Sequence, residues 1–115
     1  MFNSKPPTPP RVRKGAGEHL RAAVIALTGG AAQVGSHREK SWASITFSGA
    51  RHRLDLTFAG AEAMEAGEAF IAVLPDHEFA IPGQLVAEAT VVEAEHRLDP
   101  PSLRVVCDLL LLNDL

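Results

Sequence analysis

The segment that most constrains the fold is the apolar run near the C-terminus, residues 103–112, because a strand formed there is hydrophobic on both faces. Side chains alternate between the two faces of a strand. One set is Val105, Cys107, Leu109 and Leu111, and the other is Arg104, Val106, Asp108, Leu110 and Leu112. Leaving the large apolar members of either set in water is costly, so we expect both faces to be covered.

A second copy of the chain is the predicted cover for the second of these faces. Two-fold homodimers are the commonest oligomers, and an exposed apolar patch marks an interaction surface. The predicted dimer interface consists of Val92, Val106, Leu110 and Leu112. The alternative is that the N-terminal tail or a long loop folds over this face.

Hydrophobic periodicity predicts two helices. An apolar stripe with helical spacing covers about residues 18–28, and Gly29-Gly30 follows at the position of a C-terminal cap. The second helix is predicted over residues 61–74, before Pro75. Within it, the short apolar run 69–74 is also compatible with a buried strand, because such runs are ambiguous.

Two hairpins complete the predicted fold. The four predicted strands cover residues 42–48, 53–58, 85–95 and 103–113. Gly49-Ala50 connects the first pair, and Asp99-Pro100-Pro101-Ser102 connects the second. The expected fold class is α+β, in the order helix, hairpin, helix, hairpin, with a four-stranded antiparallel sheet and two helices on one face. The tetrapeptide His52-Arg53-Leu54-Asp55 recurs as His96-Arg97-Leu98-Asp99, which leaves an internal duplication open.

The length of 115 residues is typical of one domain, which we place at residues 17–115 after a disordered, proline-rich basic tail at residues 1–16. No apolar run is long enough to span a membrane, and no secretory signal is visible at the N-terminus. Cys107 is the lone cysteine and is expected to be a core residue. These features favour a cytoplasmic protein without a membrane partner.

The net charge of −3 hides a basic first half and an acidic second half. Residues 1–60 carry a net charge of +6 and residues 61–115 carry −9. The basic residues fall in the tail, in a predicted loop at 37–40 and in the predicted turn at 51–53. The last two are separated by a strand of roughly 23 Å, so we expect no common pocket. An isoelectric point near 5.9 and the scarcity of aromatic residues disfavour nucleic acid as a partner.

One end of the predicted sheet gathers the candidate ligand-binding residues. If the second helix runs back along the sheet, its end approaches the first hairpin turn. The candidates are Arg51, His52, Arg53, Asp76, His77 and Glu78. A histidine beside a carboxylate suits acid–base chemistry, and the two arginines suit anion binding. A surface network of ion pairs is the competing interpretation.

The leading functional hypothesis is a homodimeric binding or interaction module, with a small-molecule site or an acid–base enzyme as the alternative. No catalytic residue is assigned and no cofactor is expected. A metal site is not predicted, because adjacent residues such as Asp76-His77-Glu78 rarely point at one ion.

Overall fold

The computed structural model describes residues 15–114 and shows an α+β fold, a four-stranded antiparallel sheet with two helices. The elements are α1 (Ala16–Leu27), β1 (Gln33–Ala43), β2 (Ser48–Ala59), α2 (Ala61–Val73), β3 (Gln84–Leu98) and β4 (Pro101–Asn113). A single 3₁₀ turn, Leu74–Asp76, follows α2. Apart from Gly15 and Ala16, the predicted tail lies outside the described residues. Within residues 15–114, neither helix is long and apolar enough to cross a membrane.

The strand order is β1-β2-β4-β3, and every neighbouring pair is antiparallel. The most apolar strand, β4, therefore lies inside the sheet, and β1 and β3 form its edges. Strands adjacent in sequence pair as expected within β1–β2 and β3–β4. Between the pairs, β2 bonds to β4 instead of β3, so α2 connects two parallel strands that are separated by β4, a split βαβ arrangement.

Both helices pack on one face of the sheet, which we call the inner face; the opposite face is the outer face. Leu20 and Val24 of α1 and Phe70 of α2 join one buried apolar cluster with the inward side chains of the strands. The central strands contribute the fully buried Leu54, Leu56, Phe58, Leu103, Val105, Cys107, Leu109 and Leu111. The alternation predicted for the last strand is therefore confirmed on its inner face.

The outer face of β4 is also largely covered, but by the chain itself. Val106, Leu110 and Leu112 are only 5%, 5% and 8% exposed in the single chain. These side chains are therefore already covered within the single chain, whereas we expected a second copy, the tail or a long loop to cover them. Across Leu110, Arg51 of β2 is in register on one side and Glu88 of β3 on the other. Their ion pair, Nη1 to Oε2 at 3.2 Å, spans β4 and lays the aliphatic part of the arginine over the leucine.

A second arginine has the same role at Val106. Asp55 and Glu93 flank this valine in register, and Arg104 binds both carboxylates. Its Nη2 lies 2.7 Å from Asp55 Oδ2, and its Nη1 lies 3.4 Å from Glu93 Oε1. Long charged side chains thus form arginine arches over Leu110 and Val106, which explains the burial of these two residues without a second layer.

The prediction of a first strand over residues 42–48 is wrong. β1 ends at Ala43, and residues 44–47 form the hairpin turn, in which the Ser44 N–H donates to the Phe47 carbonyl at 2.7 Å. The alternating apolar residues that suggested a strand are instead exposed at the tip, Ile45 fully and Phe47 by half. The real strand occupies the segment that we expected to be a polar loop, because an edge strand with polar inward residues shows no apolar alternation.

The other boundaries agree closely with the sequence. α2 includes residues 69–73, so this run is helical and not a strand. α1 ends at Leu27, and Gly30 has a φ of 82° that glycine adopts easily, while its N–H bonds back to the Ile25 carbonyl at 3.0 Å. The two copies of the His-Arg-Leu-Asp tetrapeptide occupy non-equivalent positions, one inside β2 and one at the end of β3.

Gly67 provides a test of the contact between α2 and the sheet. An ideal Cβ at this position would lie 2.7 Å from Leu103 Cδ2 and 2.9 Å from the Phe58 ring. We expect Gly67→Ala to lower the free energy of unfolding by about 1–2 kcal/mol, since the overpacking exceeds the gain of roughly 1 kcal/mol in helix propensity. Urea denaturation measures this change. A stabilised variant would show that the helix can move away from the sheet, and Ala72→Gly on the exposed side of α2 calibrates the propensity term.

Candidate functional site

The most polar part of the sheet is the middle of the β1–β2 hairpin. The predicted placement of residues 51–53 in a turn is wrong, because they lie within β2. The two basic segments that we expected to be far apart are cross-strand neighbours. The register pairs Arg38 with Arg53, Glu39 with His52, and Lys40 with Arg51.

Strand alternation divides these residues between the two faces of the sheet. His52 follows the inward series of β2 and is buried, whereas Arg51 and Arg53 point outward and are exposed. Cross-strand partners share a face, so Arg38 and Lys40 also lie on the outer face and Glu39 lies on the inner face. The hairpin therefore carries a cationic outer site and a histidine-containing inner site.

The outer site is a shallow groove of about 490 Å³. Its lining consists of the outward-pointing Arg38, Lys40, Arg51, Arg53 and Asp108, together with Glu39 and His52, which alternate with them along the two strands. Arg53 forms a two-point ion pair with Asp108, with Nε–Oδ1 at 2.7 Å and Nη2–Oδ2 at 2.8 Å. The hydrogen bond from Arg53 lowers the pKa of Asp108 below its ordinary value, and the same bond raises the pKa of Arg53. Both groups are therefore charged at neutral pH.

Two cations of the groove lack a carboxylate partner. Arg38 and Lys40 are exposed, and neither forms an ion pair with another residue in the described range 15–114. Each lies opposite a further cation of β2, an arrangement that like-charge repulsion disfavours. An anion bound in the groove would relieve this repulsion and accept charge-assisted hydrogen bonds.

The inner site is a pair of histidines joined ring to ring. His37 Nε2 lies 2.9 Å from His52 Nδ1, and Arg21 Nη2 lies 3.3 Å from His37 Nδ1. Arginine can only donate, so His37 accepts at Nδ1 and carries its proton on Nε2. That proton is donated to His52 Nδ1, which places the proton of His52 on Nε2.

The Nε2 atom of His52 is buried and has no hydrogen-bond partner, and the residue is 1% exposed. Burial lowers the pKa of both histidines below their ordinary value. The neighbouring His52 and Arg21 lower the pKa of His37 further, and Glu39 opposes the shift at both rings. Both imidazoles are therefore neutral at pH 7.

The first turn of α1 covers this pair. An ideal Cβ at Gly17 would lie 3.4 Å from His37 Cε1 and 3.7 Å from both Glu39 Oε2 and His52 Cε1. These are ordinary van der Waals distances, so the helix backbone passes directly over the two rings. The sequence pointed to His52 but not to His37, since only the β1–β2 register reveals that the two are neighbours on one face.

The acidic segment after α2 does not join the groove. Asp76, His77 and Glu78 are exposed, and the His77 ring packs edge-on against Phe79 with centroids 4.5 Å apart. Leu74, just before them, belongs to the inner core cluster, so the segment lies on the helix side of the sheet. The carboxylates that pair with Arg51 and Arg53 come from β3 and β4 instead, as Glu88 and Asp108.

Other features of the described residues offer less chemistry. A larger depression of about 640 Å³ lies between α1 and α2, but Glu62 is its only charged lining residue, so we place the candidate site at the cationic groove. No group of three or more His, Cys, Asp or Glu within residues 15–114 is arranged to hold a metal ion. Cys107 is fully buried, which raises the pKa of its thiol to about 12, so it is a core residue and not a nucleophile.

Comparisons with known proteins find a similarity of fold. No protein-family model and no curated protein matches the sequence. Among solved structures, a chain from the virion of a native gene transfer agent particle superposes with a TM-score of 0.50 at 19% sequence identity. The match covers 84% of this chain and 87% of that chain. At this level of identity, the likeness shows a shared fold.

The histidine pair predicts a loss of stability in mild acid. Because the pKa of each histidine is lowered in the fold, the unfolded chain binds more protons below about pH 6.5. The free energy of unfolding should be at its plateau above that pH and should fall as the pH decreases toward about 5. Urea denaturation over this range should show a smaller fall for the variant His37→Gln/His52→Leu.

His77→Gln, a change at an exposed histidine, is the matched control and should retain the full fall. Equal pH dependence in the double variant and the unmodified protein would show that the buried pair does not contribute.

Proposed function

We propose that this protein is a self-associating interaction module, which forms a homodimer through the outer face of the β3–β4 hairpin. The observation that carries the proposal is Leu85, which is in register with Leu112 on this face and is 58% exposed. The buried side chains of both helices belong to the inner cluster, so neither helix covers the outer face. A second copy is the occupant that we propose.

The open apolar surface of this hairpin differs from the one that we expected. Val106 and Leu110 lie beneath the arginine arches, so they have little area left to bury. Apart from Leu98 at the turn end of β3, the open large apolar residues of this arm are Leu85 and Val92, which is 45% exposed at a bulge of β3. An interface on this face would bury these two residues among the surrounding ion pairs, and apolar contacts within a polar surrounding are usual for protein interfaces.

The fold comparison is compatible with this proposal. The similar chain belongs to a virion particle, so in that case the fold occurs within an assembly. We propose that the present chain also acts as a subunit among other subunits, with self-association as its activity. A cytoplasmic location stays a prediction from the sequence.

The dimer is tested by placing a charge on the open apolar residues. Light scattering coupled to size exclusion should give about twice the monomer mass of 12.3 kDa for the unmodified chain. Leu85→Glu and Val92→Glu should give monomers at tens of micromolar, because each introduces an unpaired charge into the interface.

Leu98→Glu is the matched control, since Leu98 is 87% exposed at the far end of β3. It should leave the dimer intact, and circular dichroism should show folded protein for all three variants. A monomeric unmodified chain at these concentrations contradicts the proposal, as does equal disruption by the control.

Anion binding in the outer groove is the second candidate function, and the unpaired Arg38 and Lys40 are the observation that favours it. Both side chains face the groove beside Arg51 and Arg53. Acid–base catalysis at His52 has less support, because its ring lies on the inner face under α1. We therefore favour binding over catalysis as the role of this groove.

Pyrophosphate is a suitable probe for this second function. Isothermal titration at low salt should detect binding, and Arg38→Ala/Lys40→Ala should weaken it by about fivefold or more, as expected for the loss of exposed charge contacts. Arg97→Ala, which removes an exposed cation outside the groove, should have no effect. Equal affinities for all three proteins would exclude this function.

A further inference from the structure

The two edges of the sheet are both open to pairing. β1 bonds only to β2, and β3 bonds only to β4. Each edge strand therefore presents a row of backbone N–H and C=O groups that no strand within residues 15–114 uses. Bulges interrupt both ladders, at Gly35 in β1 and at Ala87 and Val92 in β3. The longest regular stretches that remain are residues 36–43 of β1 and residues 93–98 of β3.

These two stretches carry opposite charges on the outer face. Arg38 and Lys40 project from β1, two residues apart, and lack carboxylate partners within the described part of the chain. Glu93 and Glu95 project from β3 with the same spacing. Glu93 pairs with Arg104 at 3.4 Å, and Glu95 pairs with Arg97 at 3.5 Å. Both distances are longer than those of the other ion pairs of the described residues, which measure 2.6–3.2 Å.

The strand directions allow the two edges to meet. β1 and β4 run one way, and β2 and β3 run the opposite way, because every neighbouring pair is antiparallel. If a second molecule is placed beside the first with its outer face turned the same way, its β1 lies antiparallel to the first molecule's β3. The sheet then continues from molecule to molecule with the hydrogen-bonding pattern that it already has.

One register brings both cations opposite both carboxylates. It places Arg38 opposite Glu95 and Lys40 opposite Glu93, with residues 36–40 of β1 paired with residues 93–97 of β3. Within one molecule, Arg38 is level with Asp108 of β4, and Glu95 is level with Arg104. Neighbouring molecules are therefore staggered by four residues, or about 13 Å along the strands.

We propose that β1 of one copy pairs with the acidic stretch of β3 of another, so that the chain assembles edge to edge through its outer-face charges. This contact is heterologous, since the two partners contribute different surfaces, and it produces a row of molecules or a closed ring. It goes beyond the proposed dimer and does not require it, because the dimer uses the outer face and this contact uses the edges.

Two charge-reversal variants test the proposal. Arg38→Glu/Lys40→Glu makes both edges acidic, and Glu93→Lys/Glu95→Lys makes both edges basic. Sedimentation velocity at low salt and about 100 µM should detect species larger than a dimer for the unmodified chain and none for either variant alone. An equimolar mixture of the two variants should restore the larger species, because each acidic edge then meets a basic one.

Glu62→Lys/Glu65→Lys on α2 changes the net charge as much as the β3 variant does and should leave the larger species intact. Raising the salt concentration to about 0.5 M should disrupt the edge contact, because salt screens the attraction between the opposite charges. The proposed dimer is apolar at its centre and should persist at that salt, whereas Leu85→Glu should remove the dimer but retain the edge contact. A mixture that assembles no further than its separate components would overturn the edge proposal and leave the dimer to be judged on its own test.

Discussion

The fold depends on the burial of β4 on four sides. Two neighbouring strands flank it, two helices pack on its inner face, and the arginine arches cover Val106 and Leu110 on its outer face. A strand that is apolar on both faces needs two covers, and in this chain the second cover consists of paired charged side chains. Exposed ion pairs contribute little stability by themselves. Their larger contribution here is that Arg51 and Arg104 hold their aliphatic stems over Leu110 and Val106.

The sequence predicted the elements whose packing follows one simple period. The stripe containing Leu20 and Val24 predicted α1, and the apolar run around Cys107 predicted β4 and both of its faces. β1 could not be predicted in this way, because its inward positions include His37 and Glu39 and its pattern is that of a polar loop. The apolar alternation was real at residues 43–48 but belonged mainly to an exposed turn, since alternation reports burial only when a partner layer is present.

The candidate site depends on register, which the sequence did not define. Arg51, His52 and Arg53 were identified as candidates, yet the partners that give them a chemical context lie on other strands. Arg38 and His37 meet them through β1, and Asp108 meets them through β4. A register error of one residue would exchange the cationic groove and the histidine pair between the two faces of the sheet. The failure to identify His37 and the misplacement of the first strand therefore have the same cause, the unpredicted position of β1.

The position of β4 also has a consequence for the way this chain acquires its fold during synthesis. β4 follows the other three strands in the chain but lies between two of them in the sheet. A nascent chain that has emerged only through β3 holds the β1–β2 hairpin and a separate third strand, with no partner to bridge them. Folding therefore awaits the emergence of residues 101–113, and until then the apolar residues of both helices have only part of their packing surface.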